Sequence, residues 1–450
     1  MSNSQERSLW SSRFAFIMVT AGAAVGLGNI WKFPYVAGNN GGGAFVLLYL
    51  LCTLLVGIPA MIAELLIGRH GRRNAVNTLA TLAKHAGHTA KWQGLGWLGC
   101  LTLLMVLSFY SVVSGWSIAY LFFAFKGTFV NIGATEVVEI WDHLLGSPMI
   151  LIAWHSVFMF LTMMVVALGV NAGIEKASKW MMPALLVILV LLVIYAAVVG
   201  DFMKALSFLF SFKLSALNSQ AVINAMGQAF FSLATGAGAI LIYGSYLSEK
   251  TNMVETVLII SVINVMVAIL AGLAIFPIVF SHGLEPTSGP GLMFQVLPIA
   301  FSQMPGSQFI AICFFTLLLF AAWTSSISMG EPLVALLNER WQIARSRGAF
   351  YVGLLAWIMG LLSVFSFNIW QNVKLFAHWG IFEALTDIPI NIMLPIGAFL
   401  YCVFAGWVMK PEDVKTEFGE TMPKTYIAWR FAIRYLAPVG ILTVFVANFF

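Results

Sequence analysis

The sequence predicts an all-α membrane protein: about eleven transmembrane helices, in a 5+5 inverted repeat with helices 1 and 6 broken, plus one C-terminal helix. Three observations carry that prediction: the composition, the spacing of the apolar runs, and two glycine clusters five spans apart. Of 450 residues, 60% are hydrophobic and only 9% charged, with a mean hydropathy of +0.93. Soluble domains carry roughly 25% charged residues. So few charges cannot cover a surface facing water, and the solvent must be largely lipid. The 15 Trp and 37 Phe suit lipid-facing and interfacial positions. Cys52, Cys100, Cys313 and Cys402 all fall in apolar stretches without metal-type spacing and read as packing residues. No cleavable signal peptide is expected, because the short polar N-terminus leads into an apolar run that ends in Gly/Asn-rich sequence.

A bilayer core requires roughly 20 apolar residues per helix. Runs of that kind lie near 13–36, 44–68, 95–125, 149–169, 180–200, 222–247, 254–281, 308–338, 348–368, 381–409 and 427–449. They are too long and too uniformly apolar for barrel strands, so helices are the spanning form. The chain reads as one domain over 1–450, with a first repeat over 10–200, a second over 222–409 and an extra helix at 427–449. With the N-terminus inside, 18 of the 23 Lys and Arg fall on inner segments and four on outer ones, with Lys32 near the outer end of span 1. That asymmetry sets the N-terminus in the cytoplasm, in a cell's inner (plasma) membrane, and an odd span count places the C-terminus outside.

Span 1 contains Gly22, Gly26 and Gly28, and span 6 contains Gly236 and Gly238. Glycine inside a helix costs about 1 kcal/mol relative to Ala. Clusters at the same place in two five-span halves point to broken helices with a binding site at the bilayer midplane. Close helix packing is the competing account, since Gly22 and Gly26 form a GxxxG pair. The matched break in span 6, and the polar residues beside both, favour the site. Asn29, Ser232, Asn264 and the hydroxyls of Thr324, Ser325, Ser326 and Ser328 are expensive in lipid. All are neutral oxygen donors, which suit a hard cation such as sodium together with carbonyls freed by unwinding. A lone Ser or Thr more often bonds its own helix backbone, as expected of Ser326. Half-helix N-termini also offer N–H groups to a carboxylate.

The stretch Ala21 to Tyr35 (AGAAVGLGNIWKFPY) and Asn40 to Phe45 (NGGGAF) resembles the neurotransmitter:sodium symporter family. Gly57-Ile58-Pro59, Glu64, Gly68-Arg69, Gly227 to Ser232 and Ala321 to Ser326 continue the resemblance through span 11. It implies the fold of the bacterial sodium-coupled amino-acid transporters, the LeuT fold, and a twelfth span that this chain lacks. It also implies two sodium ions. The first would contact Ala24, Asn29, Ser232, Asn264 and the substrate carboxylate itself; the second would contact Gly22, Val25, Ala321, Thr324 and Ser325. The implied substrate pocket comprises Ala24, Gly26, Leu27, Gly28, Val106, Tyr110, Phe231, Ser232, Ala234, Ala237, Ser325 and Met329. Tyr110 would bond the carboxylate and Phe231 would roof the site. With small Ala234 and Ala237, pliable Met329 and no charged group, the expected substrate is a hydrophobic or aromatic amino acid.

The resemblance further implies an outer gate of Lys32 and Asp387, with Lys where the family often has Arg. An inner gate would join Arg7 to Glu339 beside Tyr246, and span 5 would unwind between Gly173 and Pro183. Tyr49, Gln228 and Ser232 match a chloride site whose last position is Ala268, so chloride dependence and proton counter-transport both stay open. Glu64 and Glu331 read either as titrating acids or as carboxylates satisfied by backbone N–H groups. Two alternatives to sodium-coupled import stand beside it: a proton-coupled carrier of the same fold, and a membrane sensor that binds an amino acid without moving it. Enzymatic chemistry finds no support: HExxH, GxSxG and a metal-spaced Cys/His set are all lacking. Neither does a nucleic-acid partner, and oligomeric state is not readable.

Overall fold

A computed structural model describes residues 9–212, 217–283, 291–376, 379–418 and 423–447. The chain is nearly all helix. The spans are α1 (Arg13–Ala24) with α2 (Gly28–Asn39), α3 (Gly43–Gly71), α5 (Ala90–Phe125), α7 (Pro148–Ala167) and α8 (Val170–Val199). They continue with α12 (Met253–Ser281), α14 (Ser307–Trp341), α15 (Arg345–Ser366), α16 (Ile381–Val408) and α18 (Lys424–Ala447). Shorter helices lie between them: α4 (Ala75–His85), α6 (Ala134–Gly146), α9 (Phe202–Phe210), α10 (Ser219–Ser232), α11 (Ala239–Ser245), α13 (Leu292–Ser302) and α17 (Pro411–Phe418). The strands β1 (Lys374–Phe376) and β2 (Trp379–Gly380) pair antiparallel ahead of α16.

Among the described residues nine helices are long and apolar enough to cross a bilayer, and α1–α2, bent by 54°, makes a tenth. The pair α10 and α11, separated by residues 233–238, lies where the sequence reading put the sixth span. Large apolar residues such as Phe160, Val187 and Val198 lie exposed on the outer helices, where lipid covers them. The longest helices, α5 and α14, pack against each other, and α1 lies against α14, α8 and α12.

One boundary differs from the sequence reading. The fifth span starts at Val170 rather than near 180, because Glu175, Lys176 and Lys179 interrupt its apolar run without interrupting the helix. The segment expected to unwind, between Gly173 and Pro183, is helical in this conformation. Val170–Glu175 is wound as a wide π turn, and the α-helix runs on through Pro183.

Candidate functional site

Both predicted breaks are present, and they face one another. α1 stops at Val25, whose backbone turns extended, and α2 resumes at Gly28. Gly26 is dictated by proximity, since a Cβ there would lie 2.5 Å from the Ser325 hydroxyl oxygen. In the second break Gly236 has φ +102°, and a Cβ would lie 2.4 Å from the Leu394 carbonyl oxygen on α16. Ala234 beside it also takes a positive φ of 53°, a sparsely populated conformation for a non-glycine residue. Glu64, buried on α3, receives the Gly236 N–H and faces those of Gly238 and Leu241. Of the two sequence readings of Glu64, the backbone-bonded one describes Oε1 alone, since Oε2 is buried without a hydrogen-bond partner.

Two clusters of uncharged oxygens flank the breaks. In the first, the Asn29 amide donates to the Asn264 carbonyl oxygen at 2.9 Å and side-chain oxygen at 2.8 Å. Asn264 in turn donates to Tyr49 Oη and Ser232 Oγ, both at 3.2 Å, and those two hydroxyls are 3.1 Å apart. Gln228 donates to the Gly28 carbonyl at 2.7 Å, while its Oε1 is buried without a protein partner. Ala268 is buried on the same helix as Asn264. In the second cluster, Ser325 Oγ lies 3.3–3.4 Å from the carbonyl oxygens of Gly22, Ala23 and Val25. Thr324 bonds the Phe320 and Ala321 carbonyls, and a Cβ on Gly22 would lie 3.1 Å from Thr324 Cβ. Gly22, Val25, Ala321, Thr324 and Ser325 thus converge where α1 meets α14. Ser326 instead bonds its own helix at Ala322, as expected. Among the described residues no group of His, Cys, Asp or Glu can hold a metal ion. Amide, hydroxyl and carbonyl oxygens are the donors that hard cations take.

Between the clusters lies a cavity of about 50 Å³. Ala24, Gly26, Gly28, Val106, Tyr110, Phe231, Ala234, Ala237, Ser325 and Met329 line it, as the sequence led one to expect. Leu27 and Ser232 do not. Leu27 reaches the site through its backbone N–H, which donates to Tyr110 Oη at 3.2 Å, and Ser232 sits behind with Tyr49 and Asn264. Leu103, Ala23, Ala239, Ser328 and Leu394 also line the cavity and were not foreseen. Leu394 had no local signal, because only the approach of α16 to the break at Gly236 brings it there. Leu103 lies one turn before Val106 on α5, and helical spacing could have found it.

A profile described as the sodium:neurotransmitter symporter family matches residues 7–141 and 145–450. The chain belongs to this family. It is 36% identical over 440 residues to the uncharacterized sodium-dependent transporter YhdH of Bacillus subtilis, covering 97% of this chain and 96% of that one. An uncharacterized sodium-dependent transporter of Haemophilus influenzae is 34% identical, over 100% of this chain and 99% of its own. The crystal structure of MhsT in complex with L-phenylalanine superposes with a TM-score of 0.91 at 37% identity, over 98% of this chain and 99% of that one. The symporter is therefore a membrane transporter of the LeuT fold that depends on sodium, and its family is not one of enzymes.

The outer gate residues of this symporter are arranged differently from expectation. Lys32 makes no ion pair with Asp387 within 4 Å; its Nζ lies 4.8 Å from the Phe231 ring centroid, and Asp387 accepts from Asn391. Lysine presents a point charge rather than a fork, which suits the ring face as well as a carboxylate. Arg7 lies outside the described residues. Glu339 accepts from the Asn74 backbone N–H at 2.7 Å and side chain at 2.9 Å. Tyr246 donates to Glu331 at 2.7 Å, and Arg345 pairs with the same fully buried carboxylate. Glu331 is thus held by an arginine and a phenol instead of backbone N–H groups. Arg345 was missed because nothing in its local sequence points to a partner 14 residues away on another helix.

Proposed function

We propose that this symporter imports hydrophobic and aromatic amino acids by alternating access, driven by two sodium ions. The observation that carries the proposal is the cavity itself: it lies at two helix breaks and has no charged side chain on its wall. A charged substrate side chain would be desolvated there without a partner. The wall carries alanines and glycines rather than bulky polar side chains, which favours an apolar group, and Met329 adapts to its shape. Tyr110 Oη and the backbone N–H groups at the α2 end would receive the carboxylate.

In this reading one sodium takes Ala24, Asn29, Ser232 and Asn264 together with the substrate carboxylate. That shared bond couples the two, since each lacks a ligand or counter-charge without the other. The second sodium takes Gly22, Val25, Ala321, Thr324 and Ser325, tying α1 to α14 until it leaves. The Lys32 end opens outward, the Trp10 end faces the cytoplasm of a plasma-membrane-bound cell, and the last helix ends outside. The π turn at Gly173 is where α8 would unwind ahead of Pro183.

A binding screen of all natural amino acids, in sodium against potassium or choline, tests the proposal. Leu, Met, Phe and Trp should bind in sodium alone. Binding that survives sodium removal would instead favour a proton-coupled carrier, and binding without proteoliposome flux a sensor. Ala268 offers neither hydroxyl nor acid, so gluconate in place of chloride belongs in the same assay.

A further inference from the structure

We infer that Glu175 is an additional gating residue on the Trp10 end: its carboxylate clasps the strap leading into α1 to the start of α8, and the clasp must open before that end does. The strap, Leu9–Ser12, is stitched to two different helical elements in turn. Asn171 donates to the Leu9 carbonyl at 3.0 Å. Trp10 donates its backbone N–H to Tyr246 and its indole N–H to Tyr243, both at 3.1 Å. Ser11 gives Glu175 both its backbone N–H, at 3.1 Å, and its hydroxyl.

Glu175 is almost fully buried, and it keeps two more donors from its own helix, Lys179 at 2.6 Å and Asn171 at 3.2 Å. That arrangement is what a reversible contact requires. When the strap leaves, the carboxylate is not orphaned, because the lysine one turn away still pairs with it. Lys179 also donates to Ser11 Oγ at 2.9 Å, so three groups close one triangle. Ser12 caps α1 directly after this contact, so movement of α1 and release of Ser11 are mechanically one event. The clasp sits on the π turn Val170–Glu175, the segment of α8 that departs from regular α-helical bonding.

The inference rests on the alternating-access reading, but its test does not need the substrate. A reporter is placed by Ala15→Cys, a fully buried position in the first turn of α1, in a Cys313→Ala background. Labelling by an impermeant maleimide is followed on the purified full-length protein in potassium, together with Tm. Glu175→Gln should speed labelling about tenfold and Ser11→Ala severalfold, with Tm unchanged. The double variant should label no faster than Glu175→Gln, because both remove one contact. Lys176→Ala, an exposed neighbour, should match the parent. Parental labelling rates, multiplicative effects, or a Tm that falls in step with faster labelling would overturn the inference. Ser11→Ala alone decides if Glu175→Gln does not fold. An absence of sodium-dependent amino-acid binding would sink the substrate reading and leave these labelling rates to be judged on their own.

Discussion

The two ends of the central cavity are built to different standards. At the Lys32 end, one lysine rests on the Phe231 ring, and a second, smaller cavity bounded by Lys32, Phe231, Asn391 and Leu394 adjoins the first. At the Trp10 end, contacts accumulate. Arg13 pairs with Glu255 at 2.9 Å, Glu331 is held by Arg345 and Tyr246, Glu339 by Asn74, and Arg69 by Glu417. Charge-assisted hydrogen bonds are roughly twice as strong as neutral ones. The difference teaches which end this conformation holds shut. The Trp10 end must exchange several such bonds to open, whereas among the described residues Lys32 makes a cation–π contact with Phe231 and no ion pair within 4 Å.

The largest effect should come from breaking the most buried pair at the closed end. Arg345→Ala leaves the Glu331 carboxylate uncompensated, which typically costs about 3–5 kcal/mol. Thermal unfolding in detergent should show it, and an unchanged Tm would mean that packing rather than this pair secures that end. Within the cavity between the two ends, Ala237→Phe should cost about 1–3 kcal/mol of binding for the largest ligands by overpacking. Isothermal titration should find Trp penalised more than Leu; equal losses would reject the argument from size. Asn29→Ala or Thr324→Ala should raise the sodium needed for half-maximal binding about tenfold, equivalent to ~1.4 kcal/mol. An unaltered sodium dependence would count against both oxygen clusters as cation sites.

The Trp10 end also predicts a pH response. Burial opposes ionisation of Glu417, but the hydrogen bond from His70 and the charge of Arg69 outweigh it and hold its carboxyl below the ordinary range. A depressed folded value means stability that is present above the ordinary carboxylate range and is lost as pH falls through the folded value. Tm should therefore fall more steeply on acidification in the parent than in Glu417→Gln. Parallel curves would show that Glu417 contributes no linked stability.

What the sequence revealed and what it hid divide along the same line. Spans were legible because lipid admits few charges, and the breaks were legible because glycines at matched places have few other uses. The oxygens of Asn29, Asn264, Thr324 and Ser325 stood out for being polar inside apolar runs. The closed end was mostly illegible. Arg345, Asn74 and Ser11 look like ordinary helix-end polar residues, and only the approach of distant helices gives them partners. Even where residues were named, a partner was missed: Tyr246 was expected beside the Glu339 gate, and its bond to Glu331 was not foreseen. Glu175 was overlooked for a related reason, since its charge made the start of α8 read as a loop.

The smallest expected effect is the one that tests the open end most directly. Lys32→Arg keeps the charge and adds a planar fork that can stack on Phe231 and reach Asp387 with two bonds. Exposed ion pairs are worth about 0.2–1 kcal/mol, so ligand escape from the Lys32 end should slow by roughly two- to fivefold. Stopped-flow dissociation of bound L-phenylalanine would measure this. Asp387→Asn should speed escape more in the Lys32→Arg background than in the parent, because the lysine has a charge interaction with Asp387 but no ion pair within 4 Å. A rate that Asp387→Asn raises equally in both backgrounds would mean that the two residues already interact as strongly during escape. The contrast between the two ends would then be one of captured conformation and not of construction.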